Sequence, residues 1–546
     1  MKETASPSSR LLRGAFILVL AAVLSKLIGT VQKIPLQNIG GDGVFGIYNA
    51  VYPFYTLVLL IATAGFPAAV SRFVAEEMAA GRAHGARRVL RVSSWMLIVL
   101  GIVCGAVMYA AAPLLAAWID NMHTEPAIRS AALALPLVPI MAGLRGYFQG
   151  MHDMMPTAVS QVAEQTIRVA TMVVLLLWLH HLGAADDWIA AGATFGAAAG
   201  GAAGLVVMLI YWWLHQRRNR ELTALSAPLQ ETQQSVWRLL KALLLYALPI
   251  CLGSLSAPLI SLVDTFTVPR LLKADGWSEA EAMVNFGIYN RGIPLVQLMA
   301  MLATSMSVLF IPTLADARIR GRHELIRNQT KQTVNWFWLL GLASSAGIAM
   351  LAVPIDVMLY QDSIGSETIR WLAFTGVGAT LSIVTAALLQ GLGSVRAPAV
   401  HLLLSTVVKA VLNIILVPHY GINGAAMAGI VAYSLAALLN VLLLVRMTRF
   451  TISWREMIWK PVLVTVVMCA GVLSWLVLMQ MLLNAVGIHE RLESLIVAGG
   501  GALIGGILFL IGLFRTGLMT EQQAAALPKI GSRLVPLLKR LKIING

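Results

Sequence analysis

Apolar stretches of about 20 residues follow one another along almost the whole chain, and they constrain the fold more than any other feature. A segment of that length can cross the hydrocarbon core of a bilayer as a helix. Because lipid offers no hydrogen-bond partners, only helices and closed barrels can span it. Of the 546 residues, 58% are hydrophobic and only 12% are charged. The sequence therefore predicts an all-α, polytopic membrane protein.

The apolar pattern predicts fourteen membrane-crossing helices, numbered in chain order. They cover residues 13–38, 44–77, 90–119, 128–151, 156–182, 188–215, 240–272, 284–316, 331–360, 366–391, 398–420, 422–446, 460–486 and 492–515. The cationic, apolar N-terminus resembles a signal peptide, but its apolar pattern continues to Ile39 without a convincing cleavage site. We therefore expect an uncleaved first helix.

The distribution of cations predicts the orientation of these helices. With the N-terminus in the cytoplasm, most of the 40 lysines and arginines fall in cytoplasmic loops and the C-terminal tail, whereas the opposite loops are small and acidic. The positive-inside rule favours this topology, with both termini cytoplasmic. The net charge of +15 is then explained by orientation and by contact with anionic membrane lipids, and requires no nucleic acid partner.

A repeated pentapeptide indicates that the chain is duplicated. Phe45–Asn49 reads Phe-Gly-Ile-Tyr-Asn and returns as Phe286–Asn290, and Pro53 and Gln149-Gly150 have counterparts at the same offset. Six crossings per copy is an even number, so the copies form a parallel repeat related by an axis along the membrane normal. We predict an N-terminal lobe at 1–215, a cytoplasmic linker at 216–237, a C-terminal lobe at 238–449, helices 13 and 14 at 450–516, and a basic cytoplasmic tail at 517–546.

Five predicted helices carry polar residues at helical spacing. The stripes are Lys26, Thr30, Lys33 and Gln37 in helix 1; Gln161, Glu164 or Gln165, and Arg168 in helix 5; Ser254, Ser261, Asp264 and Thr265 in helix 7; Asn290 or Arg291, Pro294, Gln297 and Thr304 in helix 8; and His401, Ser405, Lys409 and Asn413 in helix 11. An ionisable side chain at mid-membrane costs roughly 2.5 to 3.5 kcal/mol, so it normally faces a partner or a wet cavity. The alternative is internal packing, since Glu164 and Arg168 can neutralise each other.

The charges in these polar stripes are mainly positive, because two acids, Glu164 and Asp264, are outnumbered by five cations, which are Lys26, Lys33, Arg168, Arg291 and Lys409. A cavity lined by cations attracts anions, and phosphate or pyrophosphate is the expected ligand of lysine and arginine. The predicted substrate-binding residues are Lys26, Lys33, Arg168, Arg291, Asn49 and Asn290.

The source of energy is constrained because the sequence has no G-x-x-x-x-G-K-[ST] loop to hold a nucleotide. An ion gradient, the membrane potential or consumption of the product must then drive any uphill transport. Asp264 is the preferred ion or proton site, because an intramembrane carboxylate must be protonated, paired or metal-bound. Asn413 could add an oxygen ligand to Na⁺, whereas Lys409 could act as a built-in cation. Coupling to Na⁺ or H⁺ through Asp264, Asn413, Lys409 and Glu164 stays open, and no resident cofactor or other metal is expected.

Two prolines at equivalent repeat positions, Pro53 and Pro294, lie inside predicted helices 2 and 8. Proline removes a backbone hydrogen bond and bends a helix, and such bends are tolerated where neighbouring groups satisfy the freed carbonyl. We predict that both act as hinges, with static packing as the alternative.

Several segments together carry a family resemblance. GDGVFGIYNAVYPFY at Gly41–Tyr55, GFPAAVSRFVAE at Gly65–Glu76, and the FQG and LQG elements at 148–150 and 389–391 resemble the polysaccharide-biosynthesis branch of the multidrug/oligosaccharidyl-lipid/polysaccharide (MOP) exporter superfamily. Within that branch, the chain is similar to the stage V sporulation protein B group and the Gram-positive lipid II flippases.

The resemblance implies two helical bundles that alternate between inward-open and outward-open states in the bacterial cell membrane. It implies translocation of an undecaprenyl-pyrophosphate-linked saccharide, with two extra C-terminal helices forming a groove for the lipid tail. Cations on the first and eighth helices bind the headgroup in the family, so Lys26, Lys33 and Arg291 are the corresponding candidates. Some members bind sodium with an acid on helix 7 and polar residues on helix 11, which Asp264 and Asn413 would match, although Lys409 argues against it.

The sequence-based hypothesis is therefore a flippase, not an enzyme, that carries lipid II, the peptidoglycan precursor, from the inner to the outer leaflet. Three alternatives stay open. The chain could export another lipid-linked glycan, such as a teichoic acid, capsule or spore-cortex precursor. It could be a multidrug antiporter of the same fold, or a membrane scaffold for cell-wall synthesis enzymes that transports nothing itself.

Overall fold

The computed structural model describes residues 7–63, 65–223, 235–451, 453–483 and 489–519. All regular secondary structure within these ranges is helical. Nine stretches in them are long and apolar enough to cross a membrane. These features confirm the predicted class, an all-α multi-pass membrane protein.

The first compact unit spans Met1–Gly287. Its helices are α1 (Pro7–Val31), α2 (Lys33–Thr63), α3 (Phe66–Ala79), α4 (Ala83–Ala110), α5 (Ala112–Ile119), α6 (Glu125–Ala132), α7 (Val138–Gly150), α8 (Met155–His181), α9 (Asp186–Thr223), α10 (Val236–Ser254), α11 (Ser256–Ala274) and most of α12 (Glu279–Asn290).

The second compact unit spans Ile288–Gly546. It holds the end of α12 and α13 (Ile293–Ile319), α14 (His323–Met350), α15 (Ala352–Tyr360), α16 (Ser366–Gly391), α17 (Arg396–Thr448), α18 (Lys460–Leu483) and α19 (Glu490–Arg515).

The boundary between these units differs from the predicted division of the lobes at 216–237. Predicted helix 7 corresponds to α10 and α11, which pack against α3, α4 and α2 in the first unit. Of the predicted linker, residues 224–234 lie outside the described ranges, as do residues 520–546 of the predicted tail. Contacts between helices, which the sequence does not display, therefore place predicted helix 7 with the N-terminal copy.

Breaks in the backbone divide several predicted crossings. Predicted helix 1 is interrupted at Gln32, and predicted helix 2 at Gly65, whose φ of 80° favours glycine. Predicted helices 4, 7 and 8 each consist of two shorter helices, and predicted helix 9 is divided at Leu351 between α14 and α15. Conversely, α17 contains predicted helices 11 and 12, which are separated by a non-helical residue, Gly421.

The two predicted hinge prolines occupy different environments. Pro53 lies inside α2, as expected, whereas Pro294 is the second residue of α13. A proline in the first turn removes no intrahelical hydrogen bond, so Pro294 starts a helix and does not bend a continuous one. The interruption of predicted helix 8 lies just before it, at Arg291 and Gly292. The hinge roles of both prolines stay predictions.

Glycines of the repeated pentapeptide pack against each other's helices within the first unit. A Cβ added to Gly46 would overlap the carbonyl oxygen of Met283, and a Cβ added to Gly287 would overlap the carbonyl oxygen of Asp42. Met283 lies four residues before Gly287, and Asp42 lies four residues before Gly46, so the contact is reciprocal. Glycine permits this close approach of α2 and α12 because it has no side chain.

The two C-terminal helices are integral to the second unit. α18 and α19 pack against each other, and they also contact α14 and α15. Leu351, Ile355, Val472 and Ala498 form a shared buried cluster. Trp475 Nε1 donates a hydrogen bond of 3.0 Å to the carbonyl of Val497, which joins α18 to α19.

Candidate functional site

The break between α1 and α2 divides the predicted polar stripe of helix 1. Lys26 is exposed, and Thr30 Oγ1 donates to the Lys26 carbonyl of its own helix at 2.9 Å. Beyond the break, Lys33 and Gln37 are each only 5% exposed. Gln32 N–H still donates to the Ile28 carbonyl at 3.0 Å, and the Gln32 carbonyl accepts from Leu36 N–H at 3.3 Å, so the hydrogen-bond ladder continues between the two halves. The common polar face of these four residues stays a prediction.

A buried cluster of charges joins α7 to α8 in the first unit. Arg145 Nη2 pairs with Glu164 Oε2 at 3.0 Å, and Arg168 Nη2 approaches Glu164 Oε1 at 3.7 Å. Arg145 Nε also donates to Ser160 Oγ at 2.9 Å. Two guanidinium groups thus share one carboxylate. Arg145 lies within predicted helix 4, but the sequence-based charge comparison left it out.

Next to this cluster lies a small cavity of about 20 Å³, which has a largely apolar lining and room for about one water molecule. Its polar wall is formed by Gln32, Tyr48, Tyr52, Tyr55 and Arg168. A cavity of this size excludes a pyrophosphate group, so Arg168 has no room for the predicted headgroup in this conformation. Its role in substrate binding stays a prediction.

Hydrogen bonds connect the walls of the cavity. Gln32 Nε2 donates to the Tyr48 hydroxyl at 3.3 Å, and Arg168 Nη2 donates to the Tyr55 hydroxyl at 3.3 Å. Asn49, a predicted substrate-binding residue, directly follows Tyr48 in α2 and is buried. Its Nδ2 donates to the Phe45 carbonyl of the same helix at 2.7 Å. In this conformation the Asn49 side-chain amide therefore hydrogen-bonds to the backbone of its own helix.

In the second unit, Arg291 is completely buried and paired with two aspartates. Arg291 Nη1 lies 2.6 Å from Asp362 Oδ1 and Nη2 lies 3.0 Å from Asp362 Oδ2, a two-pronged contact. Nη1 also lies 3.3 Å from Oδ1 of Asp356, whose side chain is 0% exposed. The surplus of positive charge predicted at Arg291 is therefore balanced by acids that the sequence-based comparison did not count.

The surroundings of Arg291 are closely packed. The Tyr360 hydroxyl donates to the Arg291 carbonyl at 2.9 Å, and Ser366 Oγ donates to Asp356 Oδ2 at 3.1 Å. A Cβ on Gly365 would lie 3.0 Å from Arg291 Cδ and 3.3 Å from both Asp356 carboxylate oxygens. Glycine at this position lets the segment between α15 and α16 lie directly over the ion pairs.

Asp356 and Asp362 differ in their tendency to ionise, and both lie outside the spans that end at Met350 and begin at Ser366. Burial raises the pKa of Asp356 to about 6, although Arg291 and the Ser366 hydrogen bond oppose this change. Partial burial also disfavours ionisation of Asp362, but hydrogen bonds from Arg291 and the Ile364 N–H outweigh it and lower the pKa of Asp362. At neutral pH the Arg291 site therefore carries two carboxylates and one guanidinium.

The stripe predicted on helix 11 is largely buried in α17. Ser405, Lys409 and Asn413 are at most 3% exposed, and His401 Nδ1 lies 2.8 Å from Asn440 Oδ1. Asn290, from predicted helix 8, is also buried at 7% exposure.

The residues of the predicted sodium site fall in different units. Asp264, 5% exposed, belongs to the first unit, whereas Lys409 and Asn413 belong to the second. Within the described ranges, no three His, Cys, Asp or Glu side chains form a group that could hold a metal ion. Coupling through Asp264, Asn413, Lys409 and Glu164 stays a prediction.

Comparisons with known proteins extend along the whole chain. The sequence profile of the polysaccharide biosynthesis protein family matches residues 11–318. The chain is 32% identical to the uncharacterised membrane protein YabM of Bacillus subtilis, over 98% of each chain. It is 29% identical to the lipid II flippase MurJ of the same organism, over 95% of this chain and 98% of the relative. A solved structure of lipid II flippase MurJ in an inward closed conformation superposes with a TM-score of 0.61 at 13% identity, covering 91% of this chain and 98% of that one.

Proposed function

Because the chain belongs to the polysaccharide biosynthesis protein family of the MOP exporter superfamily, we propose that it is a flippase for a lipid-linked saccharide and not an enzyme. The observation that carries the proposal is the 29% identity to a lipid II flippase over 95% of this chain. This match includes α18 and α19, which lie beyond the 11–318 range of the family profile. The proposed substrate is an undecaprenyl-pyrophosphate-linked saccharide, moved from the inner to the outer leaflet by alternating access.

The buried cation Lys33 supports an anionic substrate. It is 5% exposed at the start of α2, and among the described residues no carboxylate forms an ion pair with it. A buried ammonium group normally requires an anionic partner, because transfer from water removes its hydration. A pyrophosphate headgroup would supply that partner during transport.

Lipid II is the proposed substrate, because the 29% identical relative is a lipid II flippase. Another lipid-linked glycan is the second candidate, because the 32% identical relative is an uncharacterised membrane protein. The two candidates share the pyrophosphate and the polyprenyl tail, so the cationic residues bind both equally well. They differ in the saccharide, whose contacts must provide the selectivity.

The proposal includes a location and an orientation. The protein lies in the bacterial cell membrane with both termini cytoplasmic, as the positive-inside rule favours. Its basic cytoplasmic segments contact anionic lipids. Coupling to Na⁺, H⁺ or the membrane potential, and association with cell-wall synthesis enzymes, are further parts of the proposal.

Reconstituted vesicles provide the direct test. The purified full chain is placed in liposomes with fluorescent lipid II or with another fluorescent undecaprenyl-pyrophosphate-linked glycan. Translocation is measured as loss of fluorescence when headgroups from the inner leaflet become accessible to an external quencher. We expect faster translocation than in protein-free vesicles. We also expect Lys33→Ala to slow it more than tenfold, since removing one charge-assisted contact costs about 1.5 to 3 kcal/mol.

Arg320→Ala provides the matched control, because it also removes one cation. Arg320 is 58% exposed and pairs with Asp316 within its own helix, so its loss should leave translocation unchanged. If the protein translocates the other lipid-linked glycan but not lipid II, the other glycan is the substrate. Lack of acceleration with every lipid-linked saccharide, from a folded protein, would reject the flippase proposal and favour the scaffold alternative.

A further inference from the structure

Two residues that line the small cavity of the first unit each have one polar atom with no hydrogen-bond partner among the described residues. Gln32 is 5% exposed and Arg168 is 9% exposed, yet Gln32 Oε1 and Arg168 Nε form no hydrogen bond there. Buried polar atoms in proteins are normally satisfied by protein groups or by an ordered ligand or water. Both residues line the cavity of about 20 Å³. The cavity is therefore suited to a bound species that supplies these hydrogen bonds.

The neighbouring charges favour a negative species. Arg145 and Arg168 share the single carboxylate of Glu164, which leaves one positive charge in buried surroundings. Arg168 is the member of that cluster that also lines the cavity. A positive charge within a low-dielectric region stabilises a nearby anion far more strongly than it would in water.

Hydrogen-bond donors surround the same space. The hydroxyls of Tyr48 and Tyr55 already accept from Gln32 and Arg168, so their own protons can be donated elsewhere. The Gln32 amide can also rotate by half a turn, because Oε1 can accept from the Tyr48 hydroxyl and Nε2 then points to the cavity. In that orientation Tyr48 donates its proton to Gln32, so Arg168 Nε–H, the Tyr55 hydroxyl and the Gln32 amide N–H can converge on one ligand.

We propose that this cavity binds one small monovalent inorganic anion of the halide class, held by Arg168, Gln32 and Tyr55, with Tyr48 orienting the Gln32 amide. The size of the cavity admits a monatomic ion and excludes phosphate-sized groups. The anion balances the guanidinium that Glu164 cannot neutralise while it pairs with Arg145. Anion binding at this cavity does not depend on the proposed function, although Arg168 is also one of the predicted substrate-binding residues.

Chloride is the probe for the first experiment. The purified full chain is heated in sodium chloride or in sodium gluconate at equal ionic strength, and the unfolding midpoint is recorded against anion concentration. Gluconate is too large for the cavity. We expect chloride to raise the midpoint with a saturable dependence and gluconate to leave it unchanged; equal curves in both salts would overturn the proposal.

Two variants separate an anion site from a merely structural cluster. Arg168→Gln removes the surplus charge, so the chloride-dependent rise should disappear. Glu164→Gln increases the surplus to two positive charges, so half-saturation should occur at about tenfold lower chloride. If the cluster has only a structural role, both variants should have a lower unfolding midpoint and the same chloride response as the wild type. That result would also overturn the proposal.

Bromide in crystals of the wild-type chain locates the site without any substitution. Anomalous scattering should show one peak between Gln32 and Arg168. A water molecule there with no anomalous signal, at a bromide concentration that saturates the thermal response, would contradict the assignment. Tyr211→Phe, which removes a tyrosine hydroxyl outside the cavity, should leave both the peak and the chloride response intact.

Discussion

Arg291→Ala should destabilise the second unit mainly by leaving Asp356 without its cation. The Asp356 side chain is 0% exposed, whereas that of Asp362 is 37% exposed. Breaking a buried ion pair by removing one partner costs about 3 to 5 kcal/mol, whereas an exposed pair contributes about 0 to 1 kcal/mol. Nearly all of the expected loss therefore originates at Asp356. Denaturant titration of the purified chain in detergent measures the change in the free energy of unfolding.

A second substitution should reverse much of that loss. Asp356→Asn removes the buried charge and keeps an acceptor for the Ser366 hydroxyl, so Arg291→Ala with Asp356→Asn should be more stable than Arg291→Ala alone. Asp362→Asn in the same background is the matched control and should give no such recovery. The penalty should also be smaller at pH 5 than at pH 8, because protonation of Asp356 neutralises the unpaired carboxylate.

Equal stability of Arg291→Ala with and without Asp356→Asn would refute this reasoning, as would equal recovery by Asp362→Asn. The double variant also bears on the substrate role predicted for Arg291. If it folds normally and still transports no lipid-linked saccharide, the defect lies in substrate binding. If it transports normally, Arg291 is a structural residue of the second unit.

Two further outcomes test the packing and the ionisation of the fold. Gly46→Ala should lower stability by about 1 to 3 kcal/mol, because the new methyl group meets the Met283 carbonyl; Gly506→Ala, where a Cβ meets nothing within 4 Å, should leave the thermal midpoint nearly unchanged. The pKa of Asp356 is raised from 3.8 to about 6, so the native state binds more protons than the unfolded chain between these values. The contribution of Asp356 to stability should then fall as pH rises through that window, and Asp356→Asn should flatten this part of the stability curve relative to wild type.

Hydrophobic pattern predicted the membrane class and the helical content because both depend on local composition. It divided predicted helices 11 and 12 at Gly421, as the structure does, but it did not predict the breaks at Gln32 and Leu351. At both residues the i→i−4 hydrogen bonds continue, so each break is a local change of backbone geometry that depends on packing against other helices and leaves no signal in the residue pattern. The same limitation applies to predicted helix 7, whose unit is determined by its contacts with α2, α3 and α4.

The candidate site was only partly predictable, because spacing relates residues on one helix and not across helices. It brought Glu164 and Arg168 together correctly, one turn apart on α8. Arg145 and Asp356 were missed, although each lies inside a predicted span, where an ionisable residue should prompt a search for its partner. Their partners Glu164 and Arg291 lie 19 and 65 positions away.

The reciprocal glycine contact between α2 and α12 gives a physical reason for glycine at the same position of both pentapeptides. A Cβ on Gly46 would overlap the Met283 carbonyl, and a Cβ on Gly287 would overlap the Asp42 carbonyl, so the backbone of each helix rejects a larger residue at the glycine of the other. Duplication usually frees one copy to change, but here it created a mutual constraint. The two segments can diverge only together, and related sequences should therefore change both glycines or neither.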